Sequence, residues 1–101
     1  MFKYLFTLII VSISLSQTTG KISGLVADKN TDEALPGANI YLEGTAYGTA
    51  SDINGRFTII NIPPGKYNFK ADMIGYKTII VNDVSVSVNR TLSLNLEMDQ
   101  T

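Results

Sequence analysis

Cysteine, histidine and tryptophan are absent from this sequence of 101 residues. Without cysteine there is no disulfide framework, no thiol nucleophile and no lipid-modified N-terminus of the bacterial lipoprotein type. Without histidine there is no Ser-His-Asp or Cys-His arrangement, and the usual zinc ligand sets are gone. Charge is also scarce. Charged residues make up 17%, with 8 Lys+Arg against 9 Asp+Glu for a net charge of -1. No basic field exists to hold a phosphate backbone, so nucleic acid is not an expected partner. What remains is 45% hydrophobic, a globular composition at a length that allows one domain.

Met1–Gly20 differs in character from the rest of the chain. Lys3 supplies a short positive region, an apolar stretch runs from Tyr4 to Leu15, and Ser16-Gln17-Thr18-Thr19-Gly20 is small and polar. This is the layout of a secretory signal peptide with its cut within Ser16–Gly20. The apolar run of about 11 residues is short of the ~20 that a spanning helix needs. The chain thus divides into a signal peptide at 1–20, a folded domain at 21–98 and the start of a linker or tail at 99–101. Residues 21–101 hold seven cations and nine carboxylates, a net charge of −2. An exported domain without disulfides points to the periplasm or outer membrane of a Gram-negative bacterium, with free secretion as the alternative.

From Lys21 the hydrophobic period is two. Leu92, Leu94, Leu96 and Met98 alternate with Ser93, Asn95 and Glu97, and Tyr67, Phe69, Ala71 and Met73 alternate with Asn68, Lys70 and Asp72. Phe57–Ile62 is apolar on both faces, as a central strand would be. Further strands are expected at Ile22–Ala27, Ala38–Leu42, Lys77–Val81 and Val84–Val88. Turn signals recur at Asn30–Glu33, Pro36-Gly37, Asn54-Gly55, Pro63-Pro64-Gly65 and Gly75. Asn54-Gly55, between Thr49–Ile53 and Arg56–Ile62, is the strongest hairpin signal and predicts a type I′ turn. The expected fold is all-β, about seven strands in two packed antiparallel sheets.

Little here can carry chemistry. Asp52-Ile53-Asn54-Gly55 has a trace of a calcium loop, but Ala50 stands where an oxygen ligand belongs and Asn61 where an acid belongs, so a hairpin turn is the better reading. Asp32-Glu33 is a solvated turn, and no catalytic residue, metal site or cofactor is expected. Phe57, Tyr67 and Phe69 fall on core positions. Tyr41, Tyr47 and Tyr76 are left as possible ligand-facing residues, for instance for a glycan. Asn89-Arg90-Thr91 fits a glycosylation sequon that has no meaning in a bacterial protein.

A series of short motifs runs through the domain. Gly24-Leu25-Val26-Ala27-Asp28 is followed by Leu35-Pro36-Gly37-Ala38-Asn39-Ile40, Gly44-Thr45 and Gly48-Thr49. Then come Ser51-Asp52-Ile53-Asn54-Gly55-Arg56-Phe57, Ile62-Pro63-Pro64-Gly65-Lys66-Tyr67 and Ile74-Gly75-Tyr76-Lys77. In this order and spacing they resemble the carboxypeptidase regulatory-like domain, from about Lys21 to Met98. The resemblance implies a transthyretin-like (prealbumin-like) β-sandwich and no catalytic role. Gly37, Gly44, Gly48, Gly55, Gly65 and Gly75 are expected at turns or positive-φ positions. Asp52 is expected to cap the Asn54-Gly55 turn, Phe57 and Tyr67 to fill the core, and Tyr76 to pack at its edge with its hydroxyl bonded.

A signal peptide leading directly into such a domain is similar to the start of TonB-dependent outer-membrane receptors, especially those of the Bacteroidetes type. That context implies a non-catalytic periplasmic accessory domain supporting nutrient uptake, partnered by a plug and barrel or another envelope protein. The chain is then a fragment or truncated product, since a membrane barrel needs eight or more lipid-facing strands, and this domain is not expected to span a membrane. Two alternatives remain: a free-standing secreted protein- or carbohydrate-binding module, and a structural module of a larger surface protein. In each, the edge strands offer a route to partner binding by strand addition.

Overall fold

The computed structural model describes residues 18–101. The expected signal peptide lies outside the described residues as far as residue 17. Gly20, which the sequence assigns to its end, opens the first strand. There are eight strands: β1 (Gly20–Asp28), β2 (Asn39–Leu42), β3 (Gly48–Ala50), β4 (Arg56–Ile62), β5 (Gly65–Asp72), β6 (Ile79–Val86), β7 (Thr91–Ser93) and β8 (Leu96–Met98). They form two sheets, β4-β1 with β7 and β8 along the far side of β1, and β3-β2-β5-β6. The fold is therefore the all-β sandwich expected. Among the described residues no helix is long and apolar enough to cross a membrane.

One part of the pairing is not antiparallel. Lys21–Ser23 runs parallel to Thr91–Ser93, and Val26–Asp28 runs parallel to Leu96–Met98. Each connection as far as β7 reverses the chain, so β1, β3, β5 and the β7–β8 pair all point one way. After β6 the chain crosses to the other sheet and lies beside β1, which has the same direction. The alternating run Leu92–Met98 thus forms one edge in two pieces, with Leu96 and Met98 buried and Leu92 and Leu94 half-buried. The break falls where Leu94 N–H donates to Ser23 O at 2.8 Å and Leu94 O closes over Gly24. A Cβ on Gly24 would overlap that oxygen, which is why a glycine stands mid-strand.

The core lies between the sheets. Ile22, Val26, Phe57, Ile59, Ile62, Leu96 and Met98 from one face Ile40, Leu42, Phe69, Ala71, Val84 and Val86 from the other. Phe57 and Phe69 meet with ring centroids 6.0 Å apart and planes tilted by 43°, a favoured aromatic geometry. Tyr67 is half-buried against this core, and its hydroxyl donates to Pro63 O, 2.6 Å away, tying the start of β5 to the turn before it.

Two bulges explain where the sequence pattern misleads. On β4, Gly20 pairs with Ile62 but Ile22 pairs with Ile59, so Ile60 and Asn61 oppose the single residue Lys21. Asn61 takes φ 58°. The extra residue shifts the inward positions from odd (Phe57, Ile59) to even (Ile62) and leaves Ile60 outside. An apolar residue on each parity reads as a central strand, yet β4 is an edge. On β6, Asn82 and Asp83 oppose Asn68, Asp83 takes φ 57°, and its N–H donates to Asn68 Oδ1 at 3.2 Å. Inward positions again change parity, from Ile79 and Val81 to Val84 and Val86, so the two expected strands are one.

The Asn54-Gly55 signal also resolves differently. Gly55 N–H donates to Asp52 O and Asp52 N–H to Arg56 O, each at 2.8 Å. Only Gly55 has positive φ (77°), whereas a type I′ turn needs it at both central residues. The flanking strands β3 and β4 belong to different sheets. The turn is a corner between sheets.

Candidate functional site

Strand directions place the connections 29–38, 51–55 and 73–78 and the residues after β8 at one end of the sandwich. The polar groups gathered there are the most organised in the domain. Asp28 ends β1 on the same inward parity as Ile22 and Val26 and is 2% exposed. Its Oδ1 accepts the N–H groups of Asn30 (2.8 Å) and Thr31 (3.0 Å). Its Oδ2 accepts the Tyr76 hydroxyl (2.7 Å) and Gln100 Nε2 (2.9 Å). The Tyr76 hydroxyl, then the Thr31 amide, Gln100 and the Asn30 amide, hold this carboxyl well below the usual carboxylate range; burial opposes them and is outweighed. The same bond raises the Tyr76 hydroxyl, with burial second. Asp28 therefore stays ionised and Tyr76 protonated at neutral pH, which suits a structural junction and not proton transfer.

Residues 99–101 complete this junction. Lys77 N–H donates to Asp99 O at 2.8 Å, Thr101 N–H to Gly75 O at 3.0 Å, and Tyr76 and Gln100 pair as an isolated antiparallel bridge. The segment expected to begin a linker or tail is fastened to the 73–78 connection.

Ser51 ties the neighbouring connection. Its hydroxyl donates to Leu35 O at 2.6 Å and accepts Ala38 N–H at 2.8 Å, while its own N–H and C=O bond Ala38 O and Gly37 N–H. The Asp52 carboxylate accepts the N–H groups of Asn54 and Arg56, each at 2.9 Å. Gly55 is needed twice over, for its φ and because a Cβ would stand 2.5 Å from Val26 O. Gly37, Gly44 and Gly75 have positive φ and open space around them, and Gly65 opens β5 beside the Tyr67 ring. Gly48 has an ordinary φ and is there because Tyr41 Cβ is too close for a side chain.

The three tyrosines expected to face a ligand do not converge. Tyr76 is engaged at the junction, Tyr47 packs on the core from the β2–β3 connection, and Tyr41 lies on the outer face of β2. Tyr41 donates to Asp72 Oδ2 at 3.1 Å, and Asp72 Oδ1 accepts Thr78 Oγ1 at 2.7 Å. The Asp72 bond, then burial, raises the Tyr41 hydroxyl. Lys70 and Glu43 pair beside it at 3.0 Å, and the pairing lowers Glu43 and raises Lys70. Asp28 and Ser51 lie within the sequence motifs but are given no role by them, and Gln100 lies outside the motifs altogether. Only the inward parity of Asp28 signals its burial.

Among the described residues no buried side-chain nitrogen or oxygen lacks a partner, and no group of three acidic residues is placed to hold a metal ion. Every buried side-chain polar atom at this end is satisfied from within the domain. The chain is similar to two curated proteins of Formosa agariphila. It is 30% identical over 93 residues to TonB-dependent receptor P3, covering 92% of this chain and 9% of the receptor. It is 29% identical over 84 residues to TonB-dependent receptor P39, covering 83% of this chain and 7% of the receptor. Among solved structures, the Bacillus anthracis TIE protein superposes with a TM-score of 0.67 at 19% identity, over 83% of this chain and 17% of that one, a likeness of fold. The family model for the CarboxypepD_reg-like domain matches residues 22–101, from the first core residue of β1 to the Gln100–Asp28 junction and Thr101, and the chain belongs to that family.

Proposed function

We propose that this chain is a non-catalytic accessory domain of a TonB-dependent outer-membrane receptor, exported to the periplasm and supporting nutrient uptake there. The observation that carries the reading is the 30% identity to a receptor over 92% of this chain and only 9% of the receptor. A domain that occupies so small a share of its relatives acts as a module of something larger. The site supports this. The bonds they make keep Asp28 ionised and Tyr76 and Tyr41 protonated at neutral pH, which suits groups that hold structure. The test is an immunoblot of separated periplasmic and outer-membrane fractions with an antibody against residues 21–101. A band many times heavier than 11.0 kDa in the outer membrane is expected. A soluble band slightly lighter than 11.0 kDa would sink the reading in favour of a free-standing binding module. Glycan binding abolished by Tyr41→Ala would then identify the outer face of β2 as that module's site.

A further inference from the structure

We propose that the end of the sandwich bearing the turn tips Ile53 and Ile74 is where this domain docks on the folded body of a receptor, an inference that rests on the receptor-domain reading. Ile74 is 99% exposed and Ile53 is 82% exposed. Each is the second residue of a four-residue turn, closed by Tyr76 N–H to Met73 O (3.0 Å) and by Gly55 N–H to Asp52 O (2.8 Å). Turns favour Gly, Pro, Asn, Asp and Ser, each for a physical reason. An isoleucine serves none of those reasons and leaves a large apolar side chain in water. Neither side chain contributes to the core, whereas Met73 and Tyr76, beside Ile74, are packed against it.

Both tips are held stiffly. The Ile53 turn is bonded by the Asp52 carboxylate and pressed on β1 through Gly55 O, which accepts Val26 N–H at 2.7 Å. The Ile74 turn is fixed by Thr101, whose N–H and hydroxyl both donate to Gly75 O, and by the Tyr76–Asp28 bond. A side chain presented on a preorganised turn loses little freedom on binding, so its apolar area converts more fully to affinity.

Charge selects the kind of partner. The partly or fully exposed charges at this end are Asp32, Glu33, Asp52, Asp72 and Asp99 against Lys29, Arg56 and Lys77, with Lys29 and Asp99 3.6 Å apart. There is no basic ring of the sort that draws a turn tip to anionic lipid. The complement of two apolar tips in a slightly acidic surround is a protein surface with apolar recesses and a basic rim. In the two receptors similar to this chain, over nine-tenths of the polypeptide lies outside the matched region, which leaves ample chain in the same molecule to form such a surface.

The test places the photo-crosslinker p-benzoylphenylalanine at Ile74, Ile53 or, as a control on the outer sheet face, Ile80 (54% exposed), in the full native product in its own cells. Crosslinked peptides are then identified by mass spectrometry. Positions 74 and 53 are expected to give receptor plug or barrel peptides at ~10-fold or more the yield of position 80, and Ile53→Asp to lower the position-74 yield by ~10-fold, the loss of one anchor. The thermal midpoint of Ile53→Asp should match that of the parent, because the side chain supports no packing. Equal yields at all three positions, or adducts with lipid alone, overturn the proposal. The fractionation immunoblot separates the two ideas. A heavy outer-membrane product with silent tips removes the docking face and leaves the receptor domain, and a light soluble product removes both.

Discussion

Replacing Ser51 with alanine removes one oxygen and orphans two backbone groups. Leu35 is 7% exposed, Ala38 0% and Ser51 6%, so water does not easily replace the hydroxyl at Leu35 O or Ala38 N–H. Each orphaned buried group is a neutral backbone group and costs ~1–2 kcal/mol, the lower part of the usual range. The expected loss for Ser51→Ala is therefore ~2–4 kcal/mol, a large share of the ~5–10 kcal/mol that a domain of this size has. With a urea slope of about 1 kcal/mol/M for so small a domain, the midpoint should fall by ~2–4 M. In a thermal scan the same loss corresponds to a drop of ~10–25 °C. The absence of tryptophan makes far-ultraviolet circular dichroism or tyrosine emission the signal to follow. Thr58→Ala, on the exposed face of β4, is the control and should stay within ~0.5 kcal/mol of the parent. A Ser51→Ala loss no larger than that control would refute the reasoning, because the two bonds would then hold nothing that solvent cannot.

Asp28→Asn should destabilise the domain at pH 7, and its deficit should shrink as pH falls below ~4, the unfolded carboxyl value. The sign follows from a folded-state carboxyl held low: the stabilisation is whole above the unfolded value and is lost as pH falls toward the folded one. Urea midpoints at pH 7, 5 and 3 check this, and parallel pH curves for parent and variant would contradict it. Gly37→Ala and Gly55→Ala separate strain from crowding. Both positions have φ near 80°, for which alanine costs ~1–2 kcal/mol. Gly37 has nothing within 4 Å of an added Cβ, whereas at Gly55 Val26 O lies 2.5 Å away, so Gly55→Ala must be the worse of the two in thermal melts. Mass analysis of the exported product should find an N-terminus no later than Thr19, because Thr19 O accepts Asn89 N–H at 2.9 Å and Gly20 pairs with Ile62.

The strand inventory was legible because burial and period two agree over most of the chain. Arg56–Ile62 is found to the residue, and the alternation through Met98 holds although the strand is split. The misreadings of β4 and β6 share one cause. A bulge changes which parity faces inward without leaving a composition signal, so Asn61 reads as an ordinary strand residue and Asn82-Asp83 reads as a gap between two strands. Sheet membership at Asn54-Gly55 was equally hidden, since a corner between sheets and a hairpin within one use the same residues. The junction at Asp28 joins residues 48 and 72 positions apart in sequence, to Tyr76 and Gln100. No local pattern encodes that meeting; the odd feature is an acid on an inward position.

The bulges and the divided edge have a bearing on what the domain does in company. A sheet border is a template that another chain can copy, and an unbroken one invites aggregation. Here β3 offers three residues, β7 and β8 are interrupted at Leu94-Asn95, β4 is kinked at Asn61 ahead of Pro63-Pro64, and β6 is kinked at Asp83. None presents a straight run over a full strand length for another strand to follow. Copies of this domain can therefore crowd on a surface without zipping together, and the few apolar groups they expose at their turns are left free for a chosen partner.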